Sequence, residues 1–535
     1  MGWRALGDSA WLFEPAGQNA DGQLASVLAL RKTLDSAKIP QVRDLVSSFA
    51  TVAVHFDPAD GGLVLDWLKT IPLPRCGGHP ASRGALHEIP VHYGGPDLAA
   101  LAATLNRRES EIIALHSAAE FTVAAVGFSP GFPYLAGLTE TLQVPRLATP
   151  RKVAAGSVAI AGNQAGIYPF ESQGGWHVLG RTNVTLFDAA RPSPALLTPG
   201  DRVRFTPVDS LDFPQAPLPV ISRPSCGFEV IEPGAFTTVQ DLGRPGHQAI
   251  GVSPGGAADP VAARVANRLV GNPDDAALLE CCMTGPLLRF HQAARLAFVG
   301  WADPGSGKPH EIRDGGKIDL RGRMTSVRSY IAIAGGIDAP RILGSRATDV
   351  RAGLGGWHGR PLRAGDELTI GVPPDGPRPG NWHVAWPHRE IPGRTLELRF
   401  LPGMQATWFQ ETARTRFRDE TYQLSPMSDR TGTRLDGPAL ELEQQCGEMI
   451  SQPVVAGSVQ VPPDGRPIIL LSERQTIGGY PQIGHIISAD LPMLARAWPG
   501  TPLRFREVTL EEARAAWHKL QQASDLLKTG LRFLP

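Results

Sequence analysis

The chain has 535 residues, of which 42% are hydrophobic and 19% are charged, and its 52 Lys+Arg balance its 52 Asp+Glu. A chain of this length is too long for one hydrophobic core and should form about three or four domains. Its zero net charge argues against nucleic-acid and acidic-membrane partners. The sequence contains no run of about 18 uncharged apolar residues, so no membrane span is predicted. Acidic residues stand near the N-terminus where a signal peptide would be apolar, so a cytoplasmic protein is expected.

Glycine and proline content sets the expected fold class. The 59 glycines and 49 prolines are spread along the chain, which favours many short strands joined by tight turns. We therefore predict a mainly β protein with α+β parts. The five cysteines are scattered, without a CxxC pair or a His at metal-ligand spacing, and are expected to be free thiols.

Helical spacing of apolar residues interrupts this strand-rich pattern at intervals. The segments predicted to be helical are 24–36, 63–71, 97–110 and onward, 260–270, 405–419 and 510–528. Each of them is short in comparison with the strand-rich sequence around it, so the helices are expected to flank sheets.

Changes in composition divide the chain into modules. Residues 209–225 are rich in proline and have no periodicity, which is typical of an interdomain linker. A second break, rich in Pro and Gly, falls near 371–386. The predicted divisions are a small α+β domain at 1–80, a β domain at 85–208, the linker at 209–225, and two further β domains at 226–375 and 388–535.

An internal repeat links the two halves of the chain. Three short segments recur in order: GSVAI at 156–160 as GSVQV at 457–461, GGW at 174–176 as GGY at 478–480, and the Pro-Gly turn at 199–200 as that at 499–500. A strand-like run follows each Pro-Gly turn, and RAGDELTIG at 363–371 is a weaker third echo. We predict three β-barrel units of one type, with chance matches in a Gly- and Pro-rich protein as the alternative.

One Gly-rich segment of the first half carries residues suited to chemistry. Its glycines, Gly162 and Gly175 among them, allow backbone N–H groups to point at a substrate oxygen. Gln173, His177 and Arg181 supply a hydrogen-bond donor, a titratable base and a fixed positive charge. These are the parts of an oxyanion site. Alternatively, His177 and Arg181 are strand residues that face solvent or pair across a sheet, and the local sequence does not separate these two interpretations.

Two turns of the second half place charged residues near glycines. Asp241 and Arg244 lie in QDLGRPG, and Asp259 ends SPGGAAD. Charges carried by turns are common in binding loops, but they are equally common where a carboxylate stabilises its own turn. The three residues are therefore only weak candidates for substrate binding.

A denser polar cluster occurs near the C-terminus. Asp429 and Arg430 lie in SDRTGTR, and Gln475 and Tyr480 lie in ERQTIGGY, the repeat partner of the segment that contains His177. This repeat relationship favours a role in substrate binding. A salt-bridged structural network would have the same sequence signature.

Taken together, these motifs resemble a known family. The motifs are GFSPGFPYLAGL, GGWHVLGRT, VQDLGRPGHQAIGVSPGGAADP, SDRTGTRLDGP and SERQTIGGYPQIGHIISADLP. They resemble allophanate hydrolase subunits 1 and 2, also called 5-oxoprolinase subunits B and C, or KipI and KipA, whose modules also form the carboxyltransferase part of urea carboxylase. The part up to about residue 208 resembles the B-type subunit, and the part from about 226 resembles the C-type subunit.

This resemblance implies a fold and a set of activities. The fold would be several cyclophilin-like β-barrels behind a small N-terminal α+β domain. The first activity would be ATP-dependent opening of the 5-oxoproline lactam to glutamate with a separate A-type subunit of 5-oxoprolinase, the ATP site not being visible in this chain. The alternatives are carboxyl transfer to urea or a similar amide from biotin on a separate carrier, and non-catalytic regulation of a sensor histidine kinase. Fusion argues against the last, because it would join an inhibitor to its antagonist.

The resemblance also suggests roles for residues and partners. His177 would be the base, Arg181 and Arg430 would hold anionic groups, and Gly162 and Gly175 would shape backbone donors. The expected ligand is a small amide or lactam, in a cleft contacted by both halves, and a homo-oligomer is left open. Glu473, Arg496, Cys281-Cys282 and Trp301 depart from the family pattern, which puts the substrate in doubt more than the fold. No biotinyl segment, amidase serine motif or P-loop is found in the sequence.

Overall fold

The computed structural model describes residues 2–15, 20–73, 84–213, 227–303, 305–322, 324–380, 382–384, 395–443, 449–531 and 533. Most of the predicted linker and Cys76, Cys226 and Cys446 lie outside these residues, whereas Cys281 and Cys282 are free thiols. No helix in the described part of the chain is long and apolar enough to cross a membrane. The boundaries predicted for the domains stay a prediction.

The N-terminal module packs two helices on one sheet. Its elements are β1 (Arg4–Leu6), β2 (Ala10–Phe13), α1 (Ala20–Ser36), β3 (Val42–Ser48), β4 (Thr51–Phe56) and α2 (Gly61–Thr70). The sheet order is β1-β2-β4-β3. Val27, Leu30 and Leu34 of α1 recur at helical spacing and are fully buried against the sheet, which explains why this segment is a helix.

A closed seven-stranded barrel follows. Its region contains β5 (Leu86–Tyr93), α3 (Leu98–Thr104), α4 (Glu109–Ala118), β6 (Glu120–Val126), β7 (Pro133–Ala136), β8 (Arg151–Val153), β9 (Ser157–Ala161), β10 (Gln164–Ile167), β11 (Ser172–Gly174), β12 (His177–Arg181) and β13 (Arg202–Pro207). Starting at β5, the ring runs β5-β12-β9-β10-β7-β6-β13 and closes because β13 pairs with β5 in parallel. β8 and β11 form a separate two-stranded ribbon.

The middle module contains two sheets around one core. Its elements are β14 (Phe228–Glu232), β15 (Phe236–Gln240), α5 (Pro260–Leu269), β16 (Leu278–Cys282), β17 (Leu287–Phe290), β18 (Ala294–Val299), β19 (Pro309–Ile312), β20 (Lys317–Asp319), β21 (Arg328–Ile333) and β22 (Glu367–Leu368). The sheet orders are β20-β17-β14-β22 and β15-β16-β21-β18-β19. The third echo of the repeat thus contributes only the two-residue strand β22, which pairs antiparallel with β14.

A second closed seven-stranded barrel ends the fold. Its region contains β23 (Leu396–Pro402), α6 (Glu411–Asp419), β24 (Tyr422–Leu424), β25 (Gly432–Asp436), β26 (Gln452–Pro453), β27 (Ser458–Gln460), β28 (Ile468–Leu470), β29 (Ile477–Gly478), β30 (Gln482–Ile486), α7 (Leu491–Arg496), β31 (Pro502–Glu507) and α8 (Leu510–Leu531). The ring order is β23-β30-β27-β28-β25-β24-β31, and β31 pairs with β23 in parallel. β26 and β29 form a two-stranded ribbon.

The two barrels are copies of one topology. Starting from β5 and from β23, the rings place their strands in the same order, and each barrel carries one ribbon. The repeated glycines Gly156 and Gly457 both have positive φ, and a Cβ on either would approach a backbone oxygen to 2.2 or 2.3 Å. Only glycine fits such a position. The repeat seen in the sequence is therefore a repeat of structure.

Candidate functional site

The two halves meet where the second barrel touches the outer face of the first. Ile477 of β29, in the segment 473–480, is buried in one apolar cluster with Trp176 and Val178, the neighbours of His177. Gly127 permits this approach, since a Cβ on it would lie 2.6 Å from Cδ1 of Ile477. The segment 473–480 and the strand that carries His177 thus lie in one interface. A substrate cleft shared by the two halves stays a prediction.

His177 stands at the start of β12 and is half-buried. Its Nε2 lies 3.0 Å from the carbonyl oxygen of Pro145. A carbonyl only accepts hydrogen bonds, so Nε2 carries the proton in the neutral ring and Nδ1 is left as an acceptor. The geometry is compatible with the predicted role of a base.

Arg181 ends the same strand and lines a different feature, a cleft of about 700 Å³. The cleft is also lined by His92, Arg151 and Lys152. Within the described chain, no carboxylate lies within 4.0 Å of Arg181, whose guanidinium donates to the Ala155 oxygen at 2.9 Å. The guanidinium carbon also lies 4.3 Å from the centre of the Phe213 ring.

The cleft and His177 are separated along β12. Four residue steps of about 3.3 Å place the Cα atoms of His177 and Arg181 roughly 13 Å apart. The register of β12 puts Arg181 opposite Ser157 and His92, whereas His177 lies opposite Ile160. The two residues thus have different neighbours on the adjacent strands.

The remaining candidates of the first half are Gly162, Gly175 and Gln173. The N–H of Gly162 donates to the Val144 oxygen at 2.7 Å, and the Gly175 oxygen accepts from Leu147 at 2.8 Å. Gln173 is exposed on β11, opposite Lys152 of β8. The N–H of Gly162 is thus already used within the protein.

Arg430 lies at the centre of a buried ionic cluster between the middle module and the second barrel. It is paired with Glu280 and, at 2.6 Å through Nε, with Glu473, and it donates to the Gly256 oxygen at 2.5 Å. Arg430, Glu280 and Glu473 are each no more than 6% exposed. Every side of the guanidinium therefore has a protein partner, which matches the structural network considered from the sequence.

The charges in this cluster shift one another's pKa values. Burial alone would lower the pKa of Arg430, but Glu280 and Glu473 outweigh it and raise that pKa above its usual value. Burial would raise the pKa of Glu280, but Arg430 and Arg328 lower it. The pKa of Glu473 is raised, because burial and the nearby Asp349 outweigh Arg430.

Asp241 and Asp259 hold local backbone structure. Asp241 accepts hydrogen bonds from the Ser345 hydroxyl at 2.7 Å and from two backbone N–H groups. Asp259 caps α5 through the N–H groups of Val261 and Ala262 and pairs with Arg496 at 3.0 Å. Both carboxylates are buried, and Arg496, one of the departures from the family pattern, is part of this packing.

Arg244 and Asp429 are likewise engaged within the protein. Arg244 is only 1% exposed and donates to the Ala347 oxygen. Asp429 is exposed, and its carboxylate accepts from the N–H groups of Thr431 and Gly432 at 2.7 and 3.0 Å.

Gln475 borders a group of amide side chains that could not be recognised from the sequence. Gln475 is half-buried, its Nε2 lies 3.5 Å from the Gln460 oxygen, and Tyr480 is 38% exposed. The other members, Gln405, Gln452, Gln460 and Gln482, are all buried. The repeat alignment contained a signal for this group, because it places Gln460 opposite Ala159, but it did not show what surrounds the side chain.

Comparison with known proteins matches the two halves to two related models. Residues 1–197 match the model described as carboxyltransferase domain, subdomain C and D, and residues 250–507 match carboxyltransferase domain, subdomain A and B. The chain is 36% identical to the 5-oxoprolinase C subunit of Escherichia coli K12 over 305 residues, which are 54% of this chain and 93% of that protein.

Further relatives are similar to other parts of the chain or to most of its length. Over 124 residues the chain is 53% identical to the 5-oxoprolinase B subunit of Escherichia coli O157:H7, covering 22% of this chain and 57% of that one. Urea amidolyase of Lachancea kluyveri is 30% identical over 57% of this chain, which is 18% of that protein. The crystal structure of TTHA0988 superposes with a TM-score of 0.80 at 35% identity, covering 93% of this chain and 99% of that one.

The chain belongs to the carboxyltransferase-domain family. It joins in one polypeptide the parts that are similar to 5-oxoprolinase subunits B and C, with the B-like part first.

Proposed function

We propose that the chain is a fused B/C component of a 5-oxoprolinase-type complex that opens a lactam, 5-oxoproline to glutamate, in an ATP-dependent reaction. The observation that carries this proposal is the coexistence of both similarities in one chain whose halves interlock. The carboxylate of Asp44 accepts the N–H of Gly246, and Ile477 is buried against the first barrel. Fusion keeps the two parts together at high effective concentration.

Opening a lactam places negative charge on the former carbonyl oxygen and requires proton transfer at nitrogen or water. His177 is the side chain that we assign to proton transfer, because its Nδ1 is left as an acceptor and it lies beside the interface of the two halves. Rate effects of a positioned base are typically on the order of 10²- to 10⁴-fold.

The basic cleft is where we place an anionic group. Arg181, Arg151 and Lys152 line it, and a volume of about 700 Å³ is that of a small-molecule site. Arg151 and Lys152 are partly neutralised by Asp97 and Glu171, so Arg181 carries the main uncompensated charge. This charge suits a carboxylate or a phosphate.

ATP and a separate A-type subunit complete the proposed complex. The positive charges of the cleft suit the negative charges of nucleotide phosphates. Once bound, ATP would supply the driving force for opening a stable amide. Because the reaction would consume ATP, we keep the cytoplasm as the proposed location.

The test is reconstitution. The chain is mixed with a homologue of the 5-oxoprolinase A-type subunit, ATP and 5-oxoproline, and glutamate is measured over time. Glutamate that requires all four components is the expected result. Glutamate formation by the A-type subunit and ATP without this chain, or none with it, contradicts the proposal.

A second candidate is biotin-dependent carboxyl transfer to urea or a similar amide. It is favoured by the carboxyltransferase models that match both halves and by the similarity to urea amidolyase. Its test uses a biotin carboxylase, a biotinylated carrier and labelled bicarbonate. Label transferred to urea, with no glutamate in the first assay, selects this function.

A further inference from the structure

The outer faces of the two barrels differ at one pair of equivalent positions. In the first barrel Ala159 of β9 is the register partner of Val178 of β12, and in the second Gln460 of β27 is the register partner of Gln482 of β30. Both strand pairs have a register irregularity beside this pair. Since the rings share one strand order, two amides stand where the other copy has two apolar side chains.

The two pairs have different surroundings. Ala159 and Val178 are packed in the apolar cluster with Trp176 and Ile477. Gln460 and Gln482 are 2% and 0% exposed, and within the described residues Nε2 of Gln460 and both polar side-chain atoms of Gln482 have no hydrogen-bond partner. A buried unpaired polar group destabilises the folded state, so packing alone does not explain the exchange.

Other amides surround the pair. Oε1 of Gln405 accepts from Nε2 of Gln452 at 3.2 Å and from the N–H of Gln482 at 3.3 Å. The backbone of Gly478 lies against Gln460, because a Cβ there would be 2.4 Å from its Nε2. Half-buried Gln475 connects the group to the surface.

Amide side chains present a donor and an acceptor side by side. Their complement is an amide whose N–H and C=O lie on one edge, so that two parallel hydrogen bonds form. A five-membered lactam and urea have this arrangement, because the ring, or the second nitrogen, places an N–H beside the oxygen. An ordinary trans amide points its N–H and C=O in opposite directions.

We propose that Gln460 and Gln482, with Gln405, Gln452 and Gln475 around them, form a binding site for the lactam edge of the substrate. This inference rests on the proposed function and adds a subsite on the second barrel. Amide recognition is thus assigned to the second barrel, which has Pro481 at the position where the first barrel has His177.

The experiment uses the full chain alone, without ATP or the A-type subunit, and measures binding of 2-pyrrolidinone by ligand-observed NMR. The two control probes are N-methylacetamide, a trans amide, and N-methyl-2-pyrrolidinone, which lacks the N–H. At least tenfold tighter binding of 2-pyrrolidinone is expected. Equal binding of the three probes, or none of 2-pyrrolidinone, overturns the proposal.

The matched variant carries the residues of the first barrel, Gln460→Ala with Gln482→Val. We expect it to lose at least tenfold in lactam affinity without losing stability, because the unpaired polar atoms are removed together. If this variant does not fold, Gln475→Ala, at the half-buried edge, is expected to weaken binding about threefold to tenfold. Unchanged affinity in whichever of these variants folds contradicts the site.

The outcomes separate this inference from the proposed function. Selective lactam binding by the chain alone, with no glutamate in the reconstituted complex, would keep the site and reject the reaction. Glutamate formation that is unaffected by Gln460→Ala with Gln482→Val would keep the reaction and reject the site.

Discussion

The carboxylate of Asp44 accepts the backbone N–H of Gly246 at 2.8 Å, which joins the N-terminal module to the C-like half across 202 residues of sequence. The same carboxylate accepts from the N–H and side chain of Gln248, whose oxygen in turn accepts from Arg474 at 2.7 Å. All of these side chains are buried, so the contact between halves is specific rather than a loose association.

Asp44→Ala should therefore destabilise the docking of the halves. Removing the acceptor leaves the buried N–H and side-chain amide of Gln248, and the N–H of Gly246, without this partner, with an expected loss of about 1–3 kcal/mol in the free energy of unfolding. Denaturant unfolding measures it, and Asp66→Ala is the matched control because Asp66 is exposed and pairs with Lys69 on the same helix. Equal unfolding midpoints for the two variants would show that the Asp44 contact is not stabilising.

Arg430→Met is expected to cost about 3–5 kcal/mol of stability, because it leaves Glu280 and Glu473 buried without their common cation. The control is Arg416→Met, whose partner Glu441 is exposed and whose loss should cost no more than about 1 kcal/mol. Thermal unfolding compares the two. If Arg430→Met instead unfolds like wild type but no longer binds substrate, the structural role assigned to Arg430 is wrong. Arg430 is then a ligand-binding residue, as the sequence suggested.

Arg181→Gln should weaken binding of an anionic substrate and leave folding nearly intact, since the side chain is exposed and has no carboxylate partner in the described chain. We expect KM for 5-oxoproline or ATP to rise at least tenfold. Arg204→Gln, an exposed arginine paired with Glu120 outside the cleft, is the control. If the two variants have equal KM values, the cleft does not bind the substrate.

His177→Ala should lower turnover in the reconstituted complex by at least about 10²-fold, as expected when a base is lost. His518→Ala, exposed on α8, is the control. Full turnover in His177→Ala would exclude this residue from proton transfer.

Stability should fall as the pH falls from about 6.5 toward 4, partly through His116. Burial lowers the pKa of this core histidine to about 3 from its ordinary value of 6.5. The unfolded chain then binds the proton more readily than the folded one, so protonation favours unfolding below the unfolded pKa. Between pH 7 and pH 5, His116 should lower the free energy of unfolding by about 2 kcal/mol.

His116→Asn tests the sign. Asparagine can still accept from the Tyr93 hydroxyl, which lies 2.8 Å from Nδ1 of His116, but it does not titrate. Whatever its absolute stability, its free energy of unfolding should depend less on pH than that of wild type over this range. Parallel pH profiles would contradict the assignment.

Much of the fold could be predicted from the sequence, because turns and helix ends are determined by residues that are close together in the chain. The repeated glycines at 156 and 457 mark turns that only glycine can adopt, and they lie at equivalent positions of the two closed barrels. Three barrel units were predicted, and the middle one instead forms two separate sheets. The helix predicted at 260–270 agrees with α5 to within one residue. Its start could be predicted because Asp259 caps the helix and Pro260 is its first residue. The predicted helix from 97 instead divides into α3 and α4, with Asn106 at a φ of 50° between them.

The site depended on contacts that no local pattern encodes. Arg430 meets Glu280 across 150 residues of sequence, so a candidate for substrate binding proved to have protein partners on every side. Gln460 and Gln482 were visible as residues, but their pairing depends on the register of β27 and β30. Sequence reasoning named Gln475 and Tyr480 and missed the amides behind them.

The contacts that join the ends of the chain affect how it is made. Asp8 accepts from the Ser488 hydroxyl at 2.6 Å, across 480 residues, and Val455 packs against Leu6 and Leu12. At about 5–20 residues per second, a ribosome needs roughly half a minute to a minute and a half to make the chain between Asp8 and Ser488. During that time the apolar face of the N-terminal sheet is without its cover. The N-terminal sheet therefore reaches its native packing only after the last barrel has been made.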